Sequence, residues 1–324
     1  MLVVAPTCYF LLSREEVTTP GHWAFGQALL LIVGLISLVY SLKAGIGGKQ
    51  SLFVVLALAM IAIGLLVIFV RKQLKSTQPM LDLSLFSRPA ILAGIIMAMV
   101  AAGALAGVEL TLAMELQYVI DLTPLQAGLF MVPIMVAAAI GGPTAGFLSN
   151  KFGLRLVATL SLFIAACALA SLGYSDFHNP GVIVPFILAV TGLTLSIGLT
   201  ASSIAIMGSV PAEKGAAAGS LESTGYELGT GLGITLFGVF MANIFSSNIK
   251  IPSDFPASLA EKASLSIGDT YLVASNLPTE QGAALISAGK MAFSAAHVTL
   301  LTTAGLVIGI LAVVVFFMLS KYRQ

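Results

Sequence analysis

The polar residues of this chain are gathered into short breaks between long apolar runs, and these runs predict its elements. A helix needs about 20 largely apolar residues to cross the hydrocarbon core of a bilayer. Eight runs reach that length, and the one at 52–70 contains no polar side chain. The predicted spans are 23–43, 52–70, 90–118, 124–148, 156–174, 182–208, 215–245 and 296–319. The pattern therefore predicts an all-α integral membrane protein with about eight transmembrane helices.

Two polar breaks organise these spans. The break at 77–89 follows a basic stretch and contains the amphipathic run LDLSLF, which is typical of a cytoplasmic linker on the membrane surface. The break at 246–295 contains prolines and alanine-rich runs and predicts a long outer loop with a short helical hairpin, whose second run continues into the last span. We accordingly divide the chain into 1–16, the tail of a truncated transmembrane helix and its loop, 17–76, a two-helix pair, 77–89, the linker, and 90–324, a six-helix unit.

Composition and charge agree with this division. The chain is 58% hydrophobic and only 9% charged, against about 25% charged residues in soluble domains. Its net charge of +1 provides no basic surface, so no nucleic-acid partner is expected. Lys and Arg concentrate in alternate short loops, which predicts a multi-pass protein of the inner or plasma membrane, in contact with lipid and with both termini in the cytoplasm.

Four glutamates fall within the predicted spans. Glu115 is close to an outer helix end, so we expect its carboxylate to reach the headgroup level. Glu109 lies roughly 15 Å from the outer end of its helix, near the bilayer middle, and Glu227 lies at a similar depth, roughly 18 Å from the inner end of its own. An ionised carboxylate at such depth costs about 2.5–3.5 kcal/mol. Glu109 and Glu227 must therefore face protein or water.

The helical projection of 215–245 separates two faces. Gly225, Gly229 and Gly233 form one ridge, a spacing that favours close helix packing. Glu222 projects near this ridge, where its alternative role is to bond a neighbouring backbone or hydroxyl group. Glu227 projects about 140° away, with Ser220, Ser223, Thr224, Thr230 and Gly231. This polar sector predicts a water-filled cavity where one acid binds a proton or a cation in turn, which is antiport chemistry.

The histidines and cysteines give weaker evidence about function. His178 lies in a short outer loop and His297 at a predicted outer helix end, so surface placement is favoured over a proton relay. The cysteines, Cys8 and Cys167, lie in apolar runs and predict core packing. The sequence contains no H-E-x-x-H, G-x-S-x-G or G-x-x-x-x-G-K-[ST] motif. No enzyme activity, metal or cofactor is predicted.

The sequence resembles a known transporter family. GFLSNKFGLR, from Gly146 to Arg155, with TPLQAG and Pro133 before it, is similar to the second-half copy of the major facilitator loop signature. PMLDLSLFSR and SLESTGYELGTGLG are similar to segments of the fourteen-helix drug:proton antiporters of the methyl viologen and quaternary-ammonium efflux type. The resemblance covers nearly the whole chain.

The resemblance implies an architecture and a function. The first two spans would be the pair inserted between two bundles, 90–319 would be the C-terminal six-helix bundle, and the N-terminal bundle would be a missing partner. The function implied is proton-coupled efflux of lipophilic cations, such as quaternary ammonium compounds, dyes and methyl viologen, by alternating access. The alternative is a truncated membrane fragment or scaffold without transport activity of its own.

The loop signature implies roles for its own residues. Gly146 would permit close helix approach and Gly153 a tight turn, while Lys151 and Arg155 would hold the loop at the cytoplasmic surface and make gating contacts. Asn150 stands where the family often has Asp, so a hydrogen-bonded latch replaces a charge-locked gate. The alternative is that Lys151 and Arg155 only set the orientation in the membrane.

Soft and aromatic side chains in the six-helix unit predict a substrate pocket. Phe130, Met131, Met135 and Tyr226 suit flat cations, because thioether sulfur and ring faces accommodate varied shapes. Ordinary core packing is the alternative for each of them.

Overall fold

A computed structural model describes residues 25–47, 50–76, 83–251 and 255–321. The predicted tail at 1–16, the start of the first predicted span and residues 77–82 of the predicted linker lie outside these residues. The described residues form ten α-helices and no strand. The helices are α1 (Phe25–Gly47), α2 (Leu52–Lys75), α3 (Pro89–Met114), α4 (Pro124–Phe152), α5 (Leu154–Gly173), α6 (Ile183–Met207), α7 (Gly215–Asn248), α8 (Ala257–Ala263), α9 (Ile267–Ala274) and α10 (Thr279–Met318).

Eight of these helices are long and apolar enough to cross a membrane, which confirms the predicted fold class. The short helices α8 and α9 form the hairpin expected between the last two spans. The last helix, α10, has 40 residues and begins inside the predicted loop. At 1.5 Å per residue it is about 60 Å long, roughly twice the hydrocarbon thickness. We use "outer end" for the end that carries α8 and α9, which the charge pattern predicts to be extracellular.

The six helices after the linker pack as a bundle around α3 and α6. The most extensive helix pairs are α3 with α7, α4 with α6, and α5 with α10, while α3 and α6 also pack on each other. Fully buried Met97, Leu112, Leu162, Leu188 and Leu301 share one core cluster. The pair α1 and α2 packs together, and α1 also contacts α7. Because α7 contacts both α3 and α1, its two faces meet different surroundings.

Glycine allows the closest of these contacts. A methyl group on Gly192 of α6 would overlap the backbone carbonyl of Ile134 in α4, and one on Gly141 would overlap Ser196. Ser196 Oγ also donates to the Ala138 carbonyl at 2.7 Å. By contrast, a methyl group on Gly146 would contact no described atom within 4 Å. The close approach predicted at Gly146 is therefore wrong for the described structure, because Gly146 lies on the exposed side of α4.

The outer end of α3 is irregular. Residues Glu115–Val119 form a π-helical turn, in which the Ile120 amide donates to the Glu115 carbonyl at 3.1 Å. Asp121 then adopts a positive φ of 60°. Thr123 caps α4 by accepting from the Gln126 amide at 3.4 Å. Such π turns often occur at functional sites.

The described part of the linker packs inside the protein. Leu83–Ser87 form a 3-10 turn whose Leu85 is fully buried against Phe69 of α2, Ile91 of α3 and Leu221 of α7. Arg88, the residue before α3, donates to the Ser209 carbonyl. The predicted contact of this apolar run with the membrane surface is therefore wrong for Leu85, because α2, α3 and α7 together bury it.

Candidate functional site

Glu227 lies on the exposed side of α7, at a groove that the helix shares with α1. The groove has a volume of about 450 Å³ and is lined by Leu35, Ser220, Ser223, Thr224, Glu227 and Leu228. Glu227 is the one ionisable residue among these lining residues. In the described structure, the polar sector expected from the helical projection thus faces the groove between α7 and α1.

The hydroxyl groups near Glu227 are held by their own helix. Thr224 Oγ1 donates to the Ser220 carbonyl at 2.8 Å, and Thr230 Oγ1 donates to the Tyr226 carbonyl at 3.0 Å. Such bonds satisfy a hydroxyl donor without a partner from another helix. These hydroxyl groups need no bond from Glu227, so Glu227 is the group in this sector that is left to bind a proton or a cation.

The opposite face of α7 fixes where Glu227 points. Gly225, Gly229 and Gly233 lie against α3, and a methyl group on Gly229 would overlap the backbone of Met99. A methyl group on Gly233 would likewise overlap the backbone of Gly103. Because backbones in contact leave no space for rotation, the glycine ridge directs Glu227 away from α3.

Glu109 and Glu227 lie at different levels. Gly225 contacts Ile95, Gly229 contacts Met99 and Gly233 contacts Gly103, with the same offset each time, so α3 and α7 run parallel. In this register Glu109 lies beside Val239, roughly 18 Å along the helix axis from Glu227. The expectation that both acids lie near one midplane level is therefore wrong. Depths counted from opposite helix ends conceal the separation, because both helices are longer than the hydrocarbon core.

Glu109 and Glu222 lie in different surroundings. Glu109 is half-buried, at the edge of the incompletely buried face of α3 that also holds Ala106, Leu110 and Ala113. Glu222 is half-buried near the inner end of α7, next to buried Leu221. Glu109, Glu222 and Glu227 thus occupy three separate positions along paired helices.

The loop signature forms the short turn between α4 and α5. Gly153 has a φ of +84°, in the region that favours glycine. Arg155 Nε donates to the Phe316 carbonyl of α10 at 2.9 Å, and its guanidinium lies 3.7 Å from the centre of the Phe316 ring. Lys151 lies 5.3 Å from the ring of Phe152, and Asn150 is exposed. In this structure Arg155 therefore ties the turn to the end of α10.

The four residues of the predicted substrate pocket are not brought together. Met131 is buried in the core of the bundle, and the ring of Phe130 lies 6.2 Å from that of Phe177. Met135 and Tyr226 are exposed on α4 and α7, which share no extended packing surface in the described structure. A single pocket built from all four is therefore wrong for this arrangement.

Sequence reasoning missed a buried cluster at the outer end. Glu115 and His297 are 3% and 2% exposed, so the predicted surface placement of both is wrong. Ser294 Oγ donates to Glu115 Oε1 at 2.6 Å, and His297 Nδ1 lies 3.5 Å from Glu115 Oε2. The prediction placed His297 by the start of the apolar span at 296, whereas α10 begins at Thr279 and holds His297 deep inside the helix. A polar stripe at Lys290, Ser294 and His297 was the available signal.

Further contacts surround the outer end of this cluster. Lys290 forms an ion pair with Asp121. The Tyr271 hydroxyl of α9 donates to the Tyr118 carbonyl at 2.7 Å. Burial, with the nearby Asp121 carboxylate, raises the pKa of Tyr271 to about 12, because both disfavour the phenolate.

Comparisons with known proteins identify relatives of the chain. No family model matches it. The methyl viologen resistance protein SmvA of Salmonella typhimurium is 41% identical over 92% of this chain and 60% of its own length. The multidrug efflux pump LfrA of Mycolicibacterium smegmatis is 29% identical over 90% of this chain and 57% of its own length. The chain thus spans about 60% of these curated relatives.

Solved structures show the same fold. A bacterial homologue of the human lysosomal transporter Spinster, in an inward-facing and unoccupied conformation, superposes with a TM-score of 0.56 at 14% identity. The match covers 93% of this chain and 71% of the solved chain. The inward-facing, occupied form gives a TM-score of 0.53. The chain is therefore homologous to drug-efflux proteins of the major facilitator superfamily, and its described helices have the fold of a major facilitator transporter.

Proposed function

We propose that this chain is part of a proton-coupled transporter that exports lipophilic cations, such as quaternary ammonium compounds, dyes and methyl viologen, by alternating access. The observation that carries the proposal is the placement of Glu227, a carboxylate within a membrane span and exposed to a groove that three hydroxyl residues help to line. The relatedness to a methyl viologen resistance protein and a multidrug efflux pump supports this class of substrate.

The proposed mechanism is competition at one carboxylate. An ionised Glu227 attracts a cation that has lost part of its water, and a proton that neutralises the carboxylate removes this attraction. Cation and proton therefore exclude each other at Glu227, and each departs on the side where the other arrives. The backbone contacts at Gly229 and Gly233 support this role, because they keep the acid directed into the groove.

The remaining acids have separate proposed roles. Glu109, roughly 18 Å further toward the outer end, is a second position for a proton or cation along the path. Glu222 supports the inner end of α7, beside Leu221. Separate levels suit alternating access, in which a central path opens to one side at a time.

The missing wall of the path would come from an N-terminal bundle of the same transporter. Exposed Met135 and Tyr226 lie on α4 and α7, and the side of α7 that holds Glu227 is also exposed. A transport path requires a second surface facing these residues. In this proposal both termini are cytoplasmic, the loop of Asn150 and Lys151 lies at the inner membrane surface, and α8 and α9 lie outside.

The test is antiport in everted membrane vesicles that contain the full-length protein. With an acidic interior, addition of methyl viologen should release protons from the vesicles and dissipate the pH gradient, measured by a pH-sensitive dye. The Glu227→Gln variant should lose this response. The Glu280→Gln variant is the matched control, because Glu280 is exposed in the first turn of α10. Uptake of methyl viologen without proton movement would contradict the coupling.

A further inference from the structure

Glu115 and His297 form a buried ionisable pair that is distinct from the groove of Glu227. Glu115 opens the π turn after α3, and in the register of α3 and α7 it lies roughly 27 Å from Glu227 along the helix axis. Both side chains are at least nine-tenths buried. Glu115 Oε2 and His297 Nε2 make no hydrogen bond within the described part of the chain. Buried polar atoms of this kind require an explanation, because most buried polar groups are paired.

The charge of the pair depends on how many protons it holds. With one shared proton the pair is neutral overall, either as carboxylic acid and imidazole or as carboxylate and imidazolium. With no shared proton it carries a buried negative charge, and with a second proton a buried positive charge, both of which burial disfavours. Closely coupled groups exchange protons as one unit. The favoured content of this site is therefore one proton between Oε2 and Nδ1.

The pair is in direct contact with uncharged side chains. Ser294 donates to Oε1, while Phe177 stacks on the imidazole with ring centres 5.9 Å apart. Helix α4 contributes Phe130 behind Phe177, and α7 contributes Met241 and Phe245 to the neighbouring cluster. Asp121 and Lys290 pair with each other at the exposed end, and Glu109 lies six residues before Glu115 on α3. Tyr118, Tyr271 and Asp269 are further titratable groups at this end, and in the loop after α5 Asp176 binds exposed His178.

The π turn provides a way to open the pair. A π turn contains one extra residue relative to regular α-helix, so its conversion to α-helix would rotate the residues after the turn by about 100° relative to Glu115, whose amide is still bonded to the preceding turn of α3. That rotation would carry Asp121 away from Lys290 and so loosen the contact with α10 that keeps Glu115 beside Ser294 and His297. The contacts of Asp121 with Lys290, and of Tyr271 with Tyr118, hold the turn in its present register.

We propose that Glu115 and His297 bind one exchangeable proton between them, and that this proton exchanges with the outer side only when the π turn of α3 separates from α10. One part of this proposal rests on the proposed antiport, namely that binding of the cation causes the separation. Proton binding in the resting protein is independent of transport. In either position of the shared proton, Nε2 carries a hydrogen, since Nδ1 is then an acceptor or the imidazole is fully protonated.

The first experiment examines the resting protein. The full-length protein is labelled with ¹⁵N-histidine, placed in lipid nanodiscs at neutral pH and observed by NMR, with the signal of His297 assigned by its loss in His297→Gln. The expected result is a protonated Nε2 and an Nδ1 that shares the second proton with Glu115. An Nε2 without hydrogen would show an Nδ1–H tautomer beside a carboxylate, with no shared proton, and would overturn the proposal.

The second experiment measures proton release when tetraphenylphosphonium binds to the full-length protein in weak buffer. Release per bound cation should fall by one proton in Glu115→Gln and remain unchanged in Glu280→Gln. His297→Gln should show the same loss, and it replaces Glu115→Gln if that variant does not fold. Unchanged release in both variants would overturn the exchange step while the proposed antiport stands. If the wild type binds the cation without proton release, the antiport fails, and the NMR result alone decides whether the pair binds a proton.

Discussion

Gly103 of α3 and Gly233 of α7 lie in backbone contact, which sets the register of two parallel helices. The same register places Gly225 beside Ile95 and Gly229 beside Met99. Because glycine occupies each contact on α7, the helix can neither slide nor rotate without separating from α3. The direction of Glu227 and the level of Glu109 both follow from this contact.

Substitution of Gly233 should destabilise the protein. Gly233→Ala places a methyl group into the backbone of Gly103, and such overpacking costs about 1–3 kcal/mol. Gly231→Ala, two residues away on the same helix, meets no described atom within 4 Å and should leave stability unchanged or raise it by about 0.5–1 kcal/mol through helix propensity. The midpoint of thermal unfolding in detergent distinguishes the two variants. Equal midpoints would show that the glycine ridge does not determine packing.

The separation of Glu109 and Glu227 predicts independent effects on transport. Glu227→Gln should reduce methyl viologen efflux on the order of tenfold or more, since an acid within a membrane span is a functional group by default. Glu109→Gln should reduce efflux separately, and the double variant should show the product of the two effects, because residues more than about 10 Å apart usually act additively. Efflux is measured in cells with membrane abundance matched by immunoblot. Strong non-additivity would indicate that both acids meet in one site.

The sequence predicted the spans and the faces of α7 because both depend on local periodicity. Apolar runs of sufficient length must cross the bilayer, and glycines four residues apart lie on one side of a helix whatever its neighbours are. Register between helices is a property of distant residues, so the separation of Glu109 from Glu227 was out of reach. Burial of Glu115 and His297 depends on a π turn and on the packing of α10 against that turn and α3, and neither is set by local periodicity.

Arg155 should stabilise the contact between the turn after α4 and the end of α10. Arg155→Ala removes both the bond to the Phe316 carbonyl and the stacking on its ring, and should cost about 1–2 kcal/mol. Arg155→Lys should recover little of this, because an ammonium group lacks the planar shape that stacks on a ring. Lys151→Ala is the control, since Lys151 is exposed. Thermal unfolding midpoints test this predicted order of stability among the variants. A Lys151→Ala variant as unstable as Arg155→Ala would contradict the prediction.

Tyr271 should make the outer end sensitive to alkaline pH. Its folded-state pKa of about 12 lies above the ordinary value of about 10, so the neutral phenol is favoured by folding. The resulting stabilisation is complete below pH about 10 and is lost as the pH rises toward about 12. Tyr271→Phe should lower stability by about 0.5–1.5 kcal/mol at neutral pH, through loss of the bond to Tyr118, and should remove this part of the alkaline loss. Unfolding curves of both proteins between pH 8 and 12 provide the comparison, and parallel pH profiles would exclude a role for Tyr271.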